Sequence, residues 1–325
     1  MEALEGEREG LLVVSPVFND WVCANELVRR LAVLAPHLPT PLSVWLVDDG
    51  STEPCTIEEH DLGGAEVRLR IVHAAANLGH QRAIAVGLAT ALETDHPAVV
   101  AVIDADGEDD PAGLPALISA LNSDPEVPAI AVAQRRDRTE SLRFRTFYRL
   151  YKVAFRALTG RALDFGNFSV MTPAAANRML RMPELWNHFP ATAMKSRVPV
   201  SKVALDRNAR FYGSSRMNFV SLINHGLAAM AAFADVVFAR LLIVVSIMSA
   251  FVLAAGAAVV AVRLLSTQAI PGWATAAMGF VILALFQLLA LLAVMTFIQL
   301  SSRSNIPQTP AQAAPHYVAS IEELP

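Results

Sequence analysis

A-V-V-A-V-I-D-A-D-G-E-D-D-P, residues Ala98 to Pro111, is the stretch that decides how the chain folds. A buried-strand run, Val99 to Ile103, ends abruptly in carboxylates: Asp104 and Asp106, then Glu108, Asp109 and Asp110. Side chains of like charge at this density repel one another unless a cation sits among them. Gly107 allows a tight turn, and Pro111 suits the first turn of a following helix. The acids therefore lie on a strand-to-helix loop, which in an open α/β sheet is at the carboxyl edge where ligands bind. Hard oxygen ligands at this spacing suit Mg²⁺ or Mn²⁺, with phosphate and water completing the shell. The alternative is a solvated acidic turn that only caps a helix.

Further strands flank this one. Leu11 to Ser15 is a short apolar run broken by Pro16-Val17-Phe18-Asn19-Asp20, and a helix follows from about Trp21 to Leu34, stopped by Pro36. Ser43 to Val47 ends in Asp48-Asp49-Gly50-Ser51, and Val67 to Val72 leads to Asn77-Leu78-Gly79. An Ala-rich helix is expected over Gln81 to Leu92, and a fifth strand over Ala129 to Ala133. Strands alternating with helices predict a mostly parallel, doubly wound sheet. Four successive strands then end in Asn19-Asp20, Asp48-Asp49, Asn77 and Asp104-Asp106 along one edge. Asn and Asp are common in turns, but their convergence beside a carboxylate cluster argues for a nucleotide site.

The 325 residues are 54% apolar and only 17% charged, an excess of apolar character concentrated at the C-terminal end. The net charge of −4 leaves no footprint for nucleic acid. Cys23 and Cys55 form neither a disulfide framework nor a metal-ligand spacing, which fits a reducing compartment. Residues 1–10 are acidic, without the apolar core of a signal peptide, and read as a disordered N-terminus with the following domain in the cytoplasm.

Beyond the fifth strand, Gln134 to Arg161 interleaves cations (among them Arg135, Arg143 and Arg145) with Phe and Tyr, a pattern suited to anionic headgroups or to a solvated helix face. Val198 to Leu205 reads as an edge strand, and Arg210-Phe211-Tyr212-Gly213-Ser214-Ser215-Arg216 as a turn bracketed by cations. Residues 216–235 have the periodicity of an amphipathic helix at a bilayer surface. Residues 241–262 and 274–300 are each charge-free and long enough to span a membrane. Cations upstream of Leu241 and at Arg303 place both termini in the cytoplasm. Residues 303–325, rich in Pro, Ala and Gln, read as a disordered tail.

The motifs V-V-S-P-V-F-N-D, V-D-D-G-S, N-L-G-H-Q-R-A-I-A-V-G, D-A-D-G-E-D-D-P and R-F-Y-G-S-S-R stand in the order and spacing of inverting family-two glycosyltransferases with a GT-A fold. The chain most resembles the polyprenyl-phosphate glycosyltransferases of that family over about residues 11–235, and its two C-terminal spans suit the bacterial branch. The resemblance implies a Rossmann-like mixed sheet in a domain of residues 11–215. It also implies a UDP- or GDP-linked sugar donor, a lipid-phosphate acceptor and a bacterial inner-membrane location, and leaves room for a homo-oligomer. It puts Pro16, Asn19 and Asp20, with Asp48 beside them, at the base and ribose. Asp104 and Asp106 would bind the metal on the donor diphosphate, and Glu108 stands where relatives often carry a Gln ligand. Arg210 and Arg216 match the basic pair of the late turn, and with Asp106 are the implied catalytic groups. Arg135, Arg143 and Arg145 would meet the acceptor phosphate.

The chemistry is consistent with these roles. A nucleoside diphosphate gains charge as it leaves, and a metal and an arginine stabilise that charge. A phosphate acceptor is already anionic and needs no strong base, whereas a hydroxyl acceptor usually does. The late E-D or T-D pair and the Q-x-x-R-W motif of many hydroxyl-directed relatives are absent, which leaves Asp164 as the candidate base. Two alternatives stand beside the lipid-phosphate reading: transfer to a lipid or glycan hydroxyl, and a non-catalytic membrane adaptor on a transferase fold.

Overall fold

The structure, a computed structural model, describes residues 10–57, 67–121, 124–135, 142–213, 219–265, 272–304 and 307–324, with backbone alone at 135, 142–150, 219–222 and 303–304. The chain forms two compact units. One comprises the chain through Lys152, Ala162–Ala232 and Gln308–Pro325; the other comprises Val153–Arg161 and Phe233–Pro307.

The first unit is built on one eight-stranded sheet, ordered β7-β5-β6-β4-β1-β2-β3-β8. β1 (Leu11–Val17), β2 (Leu42–Asp48), β3 (Val67–Ala74) and β4 (Val99–Val102) run parallel. β5 (Ile130–Arg135) and β7 (Val200–Leu205) are parallel to each other, and β6 (Phe165–Met171) is antiparallel to both β4 and β5. The sheet is therefore mixed and doubly wound as expected, and Val198 to Leu205 does supply an edge strand. β1 and β2 are buried throughout, which explains their unbroken apolar runs.

Alternate residues feed two cores. Leu11, Val13, Val44 and Leu46 face α1 (Trp21–Leu34) and α3 (Leu114–Ala120); Leu12, Val14, Trp45 and Val47 face α2 (His80–Thr94) and α5 (Pro173–Leu180). Helix α1 buries Leu27, Val28 and Leu31 at helical spacing, and each such side chain contributes about 1.5–3 kcal/mol. A Cβ on Gly87 would lie 2.3 Å from Val47 Cγ2 and 2.8 Å from Val14 Cγ1. Glycine there lets α2 lie flat on β1 and β2.

The reading of residues 303–325 as disordered is corrected. After Thr309 and Gln312 form a capping box for α10 (Pro310–Ala313), buried Ala314 packs against the core under α2. β8 (Val318–Leu324) then pairs antiparallel with β3. The prolines that suggested disorder start short helices, and the strand covers a sheet edge that would otherwise be bare. Arg70 pairs with Glu323 at 3.0 Å and with Asp95 at 2.7 Å. Of the expected disordered N-terminus, residues 1–9 lie outside the described residues.

α4 (Leu142–Thr159) crosses from the first unit to the second, and α7 (Phe219–Ala231), within the expected surface helix, belongs to the first. The second unit holds α8 (Ala234–Leu265) and α9 (Trp273–Ser304), which extend beyond the charge-free stretches 241–262 and 274–300. Both are strongly apolar, yet only 6% and 0% of their most apolar windows are buried. A soluble core helix would bury its apolar surface; these two are long and apolar enough to cross a membrane.

Candidate active site

The parallel strands bring Asn19, Asp20, Asp48, Asp49 and the Asp104–Asp110 loop to one edge of the sheet. Two loops then interlock. Residues 206–213, after β7, lie over the acidic loop after β4. Asn208 N donates to Glu108 O at 3.0 Å, Phe211 N donates to Asp106 O at 2.9 Å, and Asn208 Nδ2 donates to Asp110 Oδ2 at 2.7 Å. Gly107 has a φ of +82°, and a Cβ on it would lie 2.3 Å from the Phe211 ring. Arg30 covers that ring at 4.2 Å.

This clasp supplies the cations that the acidic run demands. Arg210 pairs with Asp20 and places Nη1 3.5 Å from Asp106 Oδ2. Arg207 pairs with Glu108. The expectation of Glu108 as third metal ligand therefore meets a different arrangement: its charge, the departure from an amide at this position, is neutralised by an arginine of the facing loop. Asp106 is pushed up to about 6 by burial and by the neighbouring Asp104, against the pull of Arg210 and Arg207.

Asp104 is held from the other side. Asn167 Nδ2 lies 3.2 Å from Asp104 Oδ1, and His80 Nε2 is also 3.2 Å from it. Gln81 Nε2 donates to Asn167 Oδ1 at 3.2 Å, joining the start of α2 to β6.

Asn19 and Asp48 organise the expected base and ribose end. Asn19 takes a φ of 50°, and its Oδ1 accepts from Thr52 N at 2.7 Å and Glu53 N at 3.1 Å. Asp48 Oδ1 accepts from Ser51 N at 2.8 Å, and its Oδ2 faces His73 Nδ1 at 3.0 Å. Buried Asp49 binds the N–H groups of Leu78 and Gly79 at 2.6 and 2.9 Å; burial raises its carboxyl pKa and these donors oppose the rise. Asn77 donates back to Asp49 O at 2.9 Å, so the third polar strand end stabilises the turn. Pro16 is buried within β1 opposite Val47.

The structure thus brings together Asp20, Asp104, Asp106, Glu108 and Arg210, with Asn19 and Asp48 on adjoining turns. Arg216 lies outside the described residues, as do the side chains of Arg135, Arg143 and Arg145. Asp164, the candidate base, is occupied: Lys202 Nζ is 2.8 Å from it and Gln134 Nε2 2.9 Å. Arg207, His80, Asn167 and His73 were missed. Five clustered acids did call for more cations than Arg210 and Arg216, and D-R-N-A-R after a strand was the place to look. Asn167 carried no signal, because β6 was not foreseen as a strand.

Two carboxylates flanking Ala105, one of them reluctant to ionise beside the other, suit a divalent cation. Among the described residues no three His, Cys, Asp or Glu side chains are grouped to hold a metal ion. A cation here would take Asp104 and Asp106 and complete its shell with diphosphate and water, as Mg²⁺ does.

Residues 12–189 match the family model described as glycosyl transferase family 2. Dodecaprenyl-phosphate galacturonate synthase of Rhizobium johnstonii is 28% identical over 215 residues, 63% of this chain and 61% of the relative. Undecaprenyl-phosphate 4-deoxy-4-formamido-L-arabinose transferase of Salmonella choleraesuis is 25% identical over 218 residues, 65% of this chain and 64% of the relative. The chain thus spans less than two thirds of the length of these relatives. Glucosyl-3-phosphoglycerate synthase of Mycobacterium tuberculosis, solved with Mn²⁺, UDP and glucosyl-3-phosphoglycerate, aligns with a TM-score of 0.45 at 15% identity over 71% of this chain and 80% of that one.

Proposed function

The chain belongs to glycosyl transferase family 2, and from that premise we propose that it is a membrane-bound inverting glycosyltransferase that moves a sugar from a nucleoside-diphosphate donor to a polyprenyl phosphate. The observation that carries the reading is the Asp20–Arg210–Asp106 bridge, which fixes the acidic loop at the carboxyl edge of the parallel strands.

In this reaction an acceptor phosphate oxygen attacks the anomeric carbon, and the bond from that carbon to the donor diphosphate breaks. Asp104 and Asp106 would hold Mg²⁺ or Mn²⁺, which when bound offsets the charge growing on the diphosphate. Arg210 stands beside them as a fixed cation, pre-oriented by Asp20, and Arg216 is proposed as its partner. Asn19, Asp20 and Asp48 organise the turns for base and ribose. The phosphate acceptor needs no base, consistent with Asp164 being tied to Lys202. Two relatives named for polyprenyl-phosphate transfer support the acceptor class. Arg135, Arg143 and Arg145 are the proposed acceptor contacts.

The return of the chain supports the topology. It leaves the sheet-bearing unit before α8 and re-enters it after α9, where β8 pairs with β3. If both helices span the bilayer, both flanking segments share one face, and the cations upstream of Leu241 make that face cytoplasmic.

A transfer assay with UDP- and GDP-linked sugars, offering polyprenyl phosphate against diacylglycerol, tests the proposal. Metal-dependent product on the lipid phosphate alone is the expected result. Product on diacylglycerol alone would replace the acceptor class, and no product with any donor would remove the enzymatic reading.

A further inference from the structure

Helices α5 and α6 (Phe189–Lys195) end beside an open cleft of about 760 Å³. Arg178, Arg181, Lys195 and Arg197 line it, with Glu126 as its one acidic lining residue. Arg178, Arg181 and Arg197 are exposed, and among the described residues none of the three has a carboxylate partner. Lys195 pairs with Glu184 at 2.9 Å. The cleft is remote in the fold from the acidic loop: α5 follows the end of β6 that pairs with Val100, near the start of β4, whereas Asp104 and Asp106 follow the end of β4.

Cations at helix C-termini offset the helix dipole, which accounts for one arginine per helix. It does not account for three arginines from two helix ends around one concavity. Arg197 takes a φ of 60° just past Ser196, the left-handed position at which helices commonly end, so α6 stops with this cation at the cleft. The position in the chain points to the occupant. Lys195 Nζ donates to the Ala232 carbonyl at 2.9 Å, two residues before α8 starts and nine before the charge-free stretch opens at Leu241.

We propose that this cleft binds the phosphate of an anionic membrane lipid, at a site separate from the one where sugar is transferred. Arginine forks bind phosphate oxygens in pairs, and three of them provide more charge than a single phosphodiester requires. The site would hold the catalytic unit against an anionic leaflet and make its orientation dependent on lipid composition. This rests on α8 spanning a bilayer, but not on the identity of the reaction.

The test uses the full chain in a neutral detergent, exchanged into phosphatidylcholine vesicles with and without phosphatidylglycerol, with co-purifying lipid counted by mass spectrometry. Arg178→Gln with Arg181→Gln changes two exposed positions; Arg197→Asn, tested separately, places a residue that tolerates the left-handed conformation. Either variant should reduce phosphatidylglycerol retention by about tenfold, the loss of one or two charge-assisted contacts, and leave phosphatidylcholine retention unchanged. Undiminished phosphatidylglycerol retention in both variants would overturn the proposal. So would displacement of the lipid by millimolar inorganic phosphate, which would mark the cleft as a site for a soluble anion. Melting temperatures in detergent within a degree or two of the parent show that the variants fold; a large drop in both would assign the arginines to stability and also overturn the site. The lipid count needs no transfer activity, so its failure and that of the transferase reading are distinguishable.

Discussion

Arg210 and Asp20 form an ion pair across 190 residues of sequence, and the same guanidinium reaches toward Asp106. One side chain thereby ties the turn before α1 to the acidic loop after β4. Arg210→Ala should weaken donor binding and transfer together, because it frees both carboxylates and, on the proposed function, removes a cation from the diphosphate. Losing a charge-assisted contact of about 2–3 kcal/mol lowers the rate by about a hundredfold. Arg210→Lys should recover little, since an ammonium does not bridge two carboxylates as a fork does. Titration with nucleotide sugar beside a transfer assay checks both outcomes; a Lys variant with parental activity would reduce Arg210 to a point charge.

Asp106→Asn should abolish transfer without harming the fold. It removes one charge from a half-buried pair, in which burial and the neighbouring Asp104 already push Asp106 up to about 6. The melting temperature should stay level or rise while activity with Mg²⁺ or Mn²⁺ is lost. Full activity in this variant would remove Asp106 from the metal site.

Glu322→Gln should act at a distance on the donor. His73 lies between the Asp48 carboxylate at 3.0 Å and the Glu322 carboxylate at 3.3 Å, so β8 steadies the side chain that orients Asp48. Glu322 is half exposed, and its loss should cost about 0.5–1 kcal/mol, seen as a donor KM raised about threefold to fivefold with kcat unchanged. A fall in kcat with KM unchanged would place the network in the chemical step.

The contribution of His188 to stability should be lost as the pH drops below about 6.5. His188 is buried and held near 3 by desolvation, with His225 and His80 adding repulsion. Its Nδ1 accepts from Ala191 N at 3.2 Å, capping α6, which fixes the neutral tautomer with its proton on Nε2 toward His225. The folded state stays unprotonated where the unfolded state, titrating near 6.5, binds a proton. The His188 contribution is therefore full above 6.5 and lost by up to about 1.4 kcal/mol per pH unit as the pH falls toward 3. Asp106, pushed up to about 6, and His80, also raised, act in the opposite sense, so the slope is read as the difference between melting curves of the parent and of His188→Asn, which retains a capping oxygen, from pH 7.5 to 5.

Orientation is tested by cysteine labelling in cells, after Cys23 and Cys55 are replaced. Ser320→Cys, in β8, should stay unlabelled by an impermeant reagent in intact cells, and Gln268→Cys should react. The reverse pattern would invert the topology.

The parallel core was legible because its strands, buried on both faces, are continuous apolar runs ending in acids. Val99 to Ile103 needed no context to be read. β6 was not foreseen: F-G-N-F-S-V-M alternates poorly, and its place is set by pairing with both β4 and β5. β8 escaped for a related reason. A strand that packs little of its own surface, with Ile321 about half exposed, has no hydrophobic pattern, and its pairing depends on an edge nearly 250 residues upstream. The acids of the site were visible as a cluster. Their partners Arg207, His80 and Asn167 were not, because opposite charges are matched through space and leave no spacing to count.

The eighth strand also imposes an order on biosynthesis. Val318 to Leu324 is made after α8 and α9, and it docks beside a strand made long before them. Until α8 and α9 have been made, β3 keeps an open row of amides and carbonyls. During that interval the nascent enzyme is most exposed to pairing with the wrong neighbour. Completing the sheet is therefore a late event: a chain whose synthesis stops within α8 or α9 leaves the β3 edge open.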